Sequence, residues 1–552
     1  MVKNLVDYLL LIGCVLYSAT AWTQTVPEIL SSKKGDDKGY LPDFSYAGYH
    51  HGEKDIPQTE GKVVLATDYG VIPDDGLDDS KALLEALKAT KDMEGKVILQ
   101  LPKGRLILRE ILYLERSNFV LRGTGSGSEG TEIYCPLPMM YLEDPEMLTE
   151  LREYLLKFDK RQREPENNID LPFSQYAWSG GLFWTQIPGE RVKSYLGKYD
   201  VPETVLAKVS SGKRGSFEIK VSEVEDLKVG DVIQLQAFNK TGENSAAIIE
   251  ALYKGTDVKV GSHHWEFPTL PIVRQQVEIE KISGNTITLK SPLTISIEPE
   301  YEAELIAWKH LKEVGIEHFR ITFPDVPYVA HHVERGYNGI FLTRLFNSWV
   351  TDVVIDNADS GILTEEIANV TISDITTEGG NKAHYTVAMA AVHNVLVENL
   401  KVLNDAVHPL SFNTFSTKNV YKNCEVFVNP VLDQHSGANH QNLFDNIRVH
   451  LNPLEDGSYP LFAGGGAPYW KPSHGAYSTF WNIDVQLRSG LNRSAPVLLN
   501  GMEDGVYARV VGVHGNHPFK ITYAPDAHIE MTNETLSGIP SLYDYQMKKR
   551  SD

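Results

Sequence analysis

The chain is 552 residues long, 42% apolar, and carries a formal net charge of −21. That length suits one large domain or two to three ordinary ones, able to bury a core without disulfide staples. The acidic balance argues against nucleic acid as a partner and requires any polyanionic substrate to meet a locally neutral or basic groove.

Residues 1–21 have the pattern of a signal peptide. Lys3 gives the positive start, Tyr8 through Tyr17 is apolar, and Ala19-Thr20-Ala21 is a small-x-small cleavage site. The run is too short to span a bilayer, and no later segment predicts a membrane span. The expected location is secreted or periplasmic. Leu11-Ile12-Gly13-Cys14 also resembles a lipobox, and the alternative is a lipid anchor through Cys14. The other cysteines, Cys135 and Cys424, lie far apart and imply no disulfide framework.

Residues 22–61 are polar and read as a linker or extended arm. Residues 62–140 begin with a strand through Val63, Val64 and Leu65. A helix follows, capped by Asp79 or Ser80, with Leu83, Leu84 and Leu87 on one face. Two short strands with glycine turns come next, at Val97-Ile98-Leu99 and Phe119-Val120-Leu121. Residues 141–204 read as a helical or irregular insertion. Residues 205–298 read as a β-rich insertion of alternating strands around Gly-Asp and Gly-Asn turns. Residues 299–535 carry the main solenoid, and 536–552 a C-terminal tail.

The solenoid is read from a repeat. Asn369-Val370, Asn394-Val395, Asn419-Val420 and Asn442-Leu443 each open an alternating apolar strand. Their apolar anchors are separated by 25, 25 and 23 residues. One such strand cannot bury its apolar face alone, so neighbours must stack. Asparagine at equivalent turns suits a left-handed backbone.

The same register sets His384, His408 and His435 at 14, 13 and 15 residues after their anchors. It therefore predicts a histidine column with neighbours roughly 5 Å apart. Tyr385, Asp405 and Asp433 lie beside it. Stacked imidazoles cannot all be charged, so their pKa values must spread, as they do where protons are transferred.

The stretch from Ala66 to Leu87, then "GKVILQLPKG" and "FVLRGTGSGSEGTEI", resembles the opening of the pectate-lyase-like β-helix domains of the pectin lyase fold. This resemblance covers residues 62–135 and implies an all-β, right-handed parallel β-helix with an N-terminal capping helix. Residues 330–490 resemble a loosely defined group of bacterial β-helix proteins. The matching text is Ala383-His384-Tyr385, Ala406-Val407-His408, Asp433-Gln434-His435, Asn442-Leu443-Phe444 and His474 through Ile483. Tyr385 stands where that group has a second histidine, and Gln434 interrupts the third step. The resemblance implies work on a polysaccharide without naming the sugar.

Two mechanisms and one non-catalytic reading are open. A lyase acting on a uronic acid must neutralise the sugar carboxylate, remove the adjacent proton and protonate the leaving oxygen. His384 or His408 suits the base, Tyr385 the acid, and Arg335 or Lys382 the neutralising cation. A calcium ion could replace that cation, but the sequence offers no compact carboxylate cage. A hydrolase needs two facing carboxyls, with Asp356, Asp359, Asp405 and Asp433 as candidates. A carbohydrate-binding β-helix needs neither. Tyr337, Asn338, His440, Trp470 and His474 are placed along the groove as substrate contacts. A zinc site at His435 and His440 lacks a third ligand, so no metal is expected.

Overall fold

The computed structural model describes residues 26–31, 37–58, 60–158, 172–190, 203–239, 247–253, 270–299, 301–466, 473–488, 495–502, 505–523 and 526–552. The signal peptide, the lipobox at Cys14 and Trp470 lie outside the described residues.

The chain winds as a right-handed parallel β-helix. One wall is a seven-stranded parallel sheet. Its strands, in spatial order, are Leu112–Leu114, Phe183–Thr185, Asn338–Thr343, Ser360–Glu365, Ala383–Ala390, Ala406–Phe412 and Leu432–Gln434. The other main walls join at a corner inside the long strands Val314–Thr322, Leu345–Asp356 and Ala368–Glu378. At that corner stand His318, Asp352, Asp374, Asn399, Asn423, Asn446 and Asn482, all with φ between 51° and 65°. Asparagine and aspartate tolerate this left-handed conformation better than most side chains do.

The corner is also a hydrogen-bond ladder. Asn399 Nδ2 donates to Asp374 at 3.0 Å, Asn446 to Asn423 at 2.7 Å, and Asn482 to Asn446 at 2.9 Å. Replacing Asn446 with Ala removes two rungs and leaves a Cβ residue in the left-handed region without a local polar contact. We expect a loss of about 1–2 kcal/mol, read as a lower denaturation midpoint, with Asn446→Gly recovering the backbone part. Equal stability of all three proteins would refute the ladder's contribution.

The stacking register is Trp349, Thr371, Leu396, Val420, Leu443 and Thr479. This corrects the anchors read from the sequence, because Val370 and Val395 sit one position earlier than Val420 and Leu443. Side chains alternate along a strand, so a slip of one exchanges inside for outside. The interior holds Ile372, Val397, Tyr421, Phe444 and Phe480. The rings of Tyr421, Phe444 and Phe480 stack with centroids 5.7 and 5.3 Å apart. Leu396, Val420, Leu443, Trp481 and Val511 face outward instead. The left-handed turn positions of the same rungs are Asn369, Asn394, Lys418 and Gln441, so Asn419 and Asn442 are not equivalent to the first two.

The outward strip is covered by the two ends of the described chain. Phe44 and Ala47 pack on it from the N-terminal side, Leu542 and Tyr543 from the C-terminal side. Gly48 N donates to Asn394 O, and Tyr49 N to Thr371 Oγ1. The expected linker is therefore a packed arm over residues 41–52. The expected tail contains the helix Leu542–Ser551, whose first N–H groups donate to the buried Asp445 carboxylate. At the other end, the helix Ser80–Thr90 packs Leu83 into the core. Asp79 occupies its N-cap position but does not cap it. Its carboxylate instead accepts from Ile72 N and Ile107 N.

The β-rich insertion forms a closed six-stranded barrel. Its last strand, Tyr301–Ala307, pairs with Val232–Asn239 and Val205–Gly212. The barrel therefore extends past residue 298, because this strand supplies the closing pairs. Its core also takes in Ala391, Phe415 and Ala438 from turns of the β-helix.

Candidate active site

The seven-stranded wall places the histidines, but not as a simple column. Tyr385, not His384, pairs with His408, and Ser411 pairs with Asp433. His435 follows the end of its short strand. His384, His408 and His435 are nonetheless gathered, with ring centroids 5.5 Å apart between His384 and His408 and 4.3 Å between His408 and His435. Tyr385 lies beneath them, its ring stacked on His384 at 4.3 Å and on His408 at 5.0 Å. Its hydroxyl accepts from Asn413 Nδ2 at 3.1 Å. Burial raises the Tyr385 phenol well above its ordinary pKa. At 2% exposure Tyr385 is a platform for the imidazoles, and a proton donor to a sugar would have to reach solvent.

Three residues that the sequence reading missed complete the cluster. The segment from Pro324 to Gly336 crosses the end of the wall and brings in His331, His332 and Glu334. His331 Nε2 lies 3.1 Å from His384 Nε2. Glu334 Oε1 lies 3.2 Å from His384 Nδ1. His332 stacks on Phe173 at 4.4 Å, and Trp178 stands edge-on to His332 and His384. The His-His doublet in "AHHVERG" was the available signal, but it falls outside the repeat and so had no register.

Asp433 is the second organising carboxylate. Its Oδ2 lies 3.2 Å from His408 Nδ1 and 3.3 Å from His435 Nδ1, and accepts from Ser411 Oγ at 2.7 Å. Its Oδ1 accepts from Gly465 N at 3.0 Å. Burial opposes ionisation of Asp433, but the imidazoles of His408 and His435 outweigh it and hold the carboxyl well below its usual pKa. A Cβ at Gly465 would collide with the His435 ring, so only glycine lets this backbone close over the cluster.

Burial, reinforced by His408, His435 and Lys382, lowers the His331 pKa to about 3. Burial, with the other histidines, likewise holds His384 well below its ordinary value. These two imidazoles are neutral at physiological pH. Next to them, on the far side of Glu334, is a small pocket of about 20 Å³ lined by Tyr328, Glu334, Arg335, Asp359, Asn381 and Lys382. Arg335 and Lys382 are partly exposed there, with Lys382 over the Tyr328 ring.

Several expected contacts lie elsewhere. Asn338 is fully buried and donates to the carbonyls of Tyr176, Ser179 and Gly180, so it braces a loop. Tyr337 packs on Phe323 in the core. His440 is fully buried in the stack with His393 and Thr417, and hydrogen-bonds with Gln441. His474 is buried against Gln434 and Tyr523. Spacing places a residue along the winding but does not say which side of the wall it faces.

The carboxyls offered for hydrolysis are engaged separately. Asp356 stands beside Glu378 and Arg320, and burial raises its pKa. Asp359 accepts from Gly336 N and Tyr337 N, and burial raises its pKa too. Asp405 accepts from Asn429 Nδ2. Only Asp433 touches the imidazoles.

No family model and no curated protein matches the chain. Solved structures resemble it distantly. The tailspike protein gp49 from Pseudomonas phage LKA1 is 11% identical at a TM-score of 0.47, covering 84% of this chain and 79% of that one. DFA-IIIase from Arthrobacter chlorophenolicus A6 without its lid is 11% identical at 0.38, covering 85% and 93%. A hyperthermoactive exopolygalacturonase from Thermotoga maritima is 11% identical at 0.30, covering 86% and 89%. Likenesses this remote carry no argument about chemistry, which has to come from the cluster itself.

Proposed function

We propose that the protein is a carbohydrate-active enzyme that cleaves a uronic-acid-containing polysaccharide by β-elimination at the imidazole cluster. The observation that carries this reading is the convergence of buried, neutral imidazoles next to a small pocket with two partly exposed cations, Arg335 and Lys382. The cations receive the uronate carboxylate and so acidify the carbon beside it. His435, oriented by Asp433, removes that proton. The bond from the neighbouring carbon to the glycosidic oxygen breaks as the double bond forms. The imidazolium then returns its proton to the leaving oxygen, and the base is restored. Tyr385, itself hydrogen-bonded by Asn413, supports the imidazoles of His384 and His408 from below. The leader-like residues 1–21 support action outside the cytoplasm.

The test is ultraviolet absorbance during incubation with a panel of uronic-acid polysaccharides, with reducing ends assayed on the same samples. Both signals should grow, and both should fall on the order of 10²–10⁴-fold in His435→Ala, as expected for loss of a general base. Reducing ends without absorbance would overturn β-elimination in favour of hydrolysis. Silence across the panel with the folded protein would overturn this substrate class.

A further inference from the structure

The cluster has a feature that proton transfer does not use. His408 Nε2 is buried and has no hydrogen-bond partner among the described residues. The other nitrogen of that ring faces the Asp433 carboxylate at 3.2 Å. A carboxylate accepts, so the ring proton is assigned to Nδ1 and the Nε2 atom keeps its lone pair. His384 Nδ1 lies 3.2 Å from Glu334 Oε1, within ion-pair distance but not aligned for a hydrogen bond, and His384 Nε2 lies 3.1 Å from His331 Nε2. One ring nitrogen from each of His331, His384 and His408 lies within 4.8 Å of the others. His331 Nε2 can offer a proton to only one of its two neighbours, and the buried His408 Nε2 keeps its lone pair without a partner among the described residues.

We propose that His331, His384 and His408 bind a divalent transition-metal ion of the zinc type through their Nε2 atoms, with Glu334 and Asp433 as the outer carboxylates that orient them. Two nitrogens bound at the usual zinc–nitrogen distance in a tetrahedron stand about 3.3 Å apart, close to the His331–His384 separation. Carboxylates hydrogen-bonded to the far nitrogens of metal-binding histidines fix the tautomer and raise ligand basicity. An all-nitrogen set selects a borderline ion and not calcium, which takes oxygen. Three protein ligands leave a fourth position for water or a substrate oxygen, the open form typical of catalytic sites. The neighbouring set of His408, Asp433 and His435 is less suited, because the Asp433 oxygen already meets both imidazoles at hydrogen-bond distance.

This proposal departs from the expectation of no metal. The zinc pair considered from the sequence, His435 and His440, has separate contacts, His435 with Asp433 and His440 with Gln441, whereas the missed His331 supplies the ligand that spacing could not. It does not depend on β-elimination. A carboxylate, a sugar hydroxyl or a water could each fill the fourth position.

The test is metal content of the full chain. Protein incubated with zinc and passed through a desalting column should retain about one ion per chain by mass spectrometry. His331→Ala and His408→Ala should retain less than about a tenth of that, and His517→Ala, a half-buried histidine outside the cluster, should match the parent. Cobalt loading of the parent should give visible ligand-field bands, which guards against a variant that merely fails to fold. Glu334→Gln should still bind, with affinity weaker by about 10–100-fold. A parent that retains no zinc and shows no cobalt bands would overturn the site, as would retention unchanged in both histidine variants. Because the readout is the ion itself, its failure is separate from failure of the cleavage assay.

Discussion

Asp433→Asn is expected to fold normally and to lose turnover on the order of 10³–10⁴-fold. The carboxylate accepts from Ser411 Oγ and Gly465 N and lies 3.2 and 3.3 Å from His408 Nδ1 and His435 Nδ1. An amide of the same shape can still accept from Gly465, but its NH₂ then points at the imidazoles. Both rings must respond by presenting a lone pair at Nδ1, which moves their protons to Nε2. His435 can no longer act as a base on its outward nitrogen, and His408 can no longer ligate an ion there. The loss should fall on kcat, because Asp433 is buried and acts through the histidines. Far-ultraviolet circular dichroism should not change. A variant within threefold of the parent would remove Asp433 from its positioning role.

Glu366→Gln is expected to destabilise the protein by about 3–5 kcal/mol. Glu366 is buried between Arg274 of the barrel, at 2.7 Å, and Arg344 of the β-helix, also at 2.7 Å. Together the three residues join barrel to solenoid. Neutralising the centre takes the shared carboxylate from Arg274 and leaves Arg344 facing Glu190 at 3.7 Å, and removing one partner of a buried ion pair costs more than the intact pair contributes. The companion experiment separates these terms. Arg274→Met, Arg344→Met and Glu366→Leu combined should recover most of the loss, because no charge is then orphaned. If the triple variant is as unstable as the single one, packing and not charge holds the interface. Chemical denaturation with a probe in each unit reads both cases.

How much of this was legible in the sequence depends on what periodicity can carry. The winding was legible, because a strand such as Asn369 to Ile375 can bury its apolar side only against a copy of itself. The register was not. Steps shorten from 25 to 24 to 23 residues between Thr371, Leu396, Val420 and Leu443, and a one-residue drift looks innocuous on paper. It exchanged Val395, which faces inward, with Leu396, which faces the arm. His384, His408, Asp433 and His435 could be singled out because they sit on or next to repeating strands. His331 and Glu334 could not, because a crossing segment has no period to align. His440 and His474 were misplaced for the opposite reason, since a correct position along the chain says nothing about which surface of the wall it occupies.

The meeting of the two chain ends has a consequence for biosynthesis. Tyr543 Oη donates to Ala47 O, and Gln546 bonds to both Pro42 and Phe44. A ribosome therefore delivers the arm some five hundred residues before the helix that meets it. Throughout that interval the strip of Leu396, Val420, Leu443 and Trp481 emerges without its complete cover. A nascent chain in this state presents a greasy stripe along stacked strands, which is a natural target for chaperones and for self-association. A stop codon just before Ser541 should therefore be far more damaging in the cell than loss of the helix Leu542–Ser551 alone would suggest.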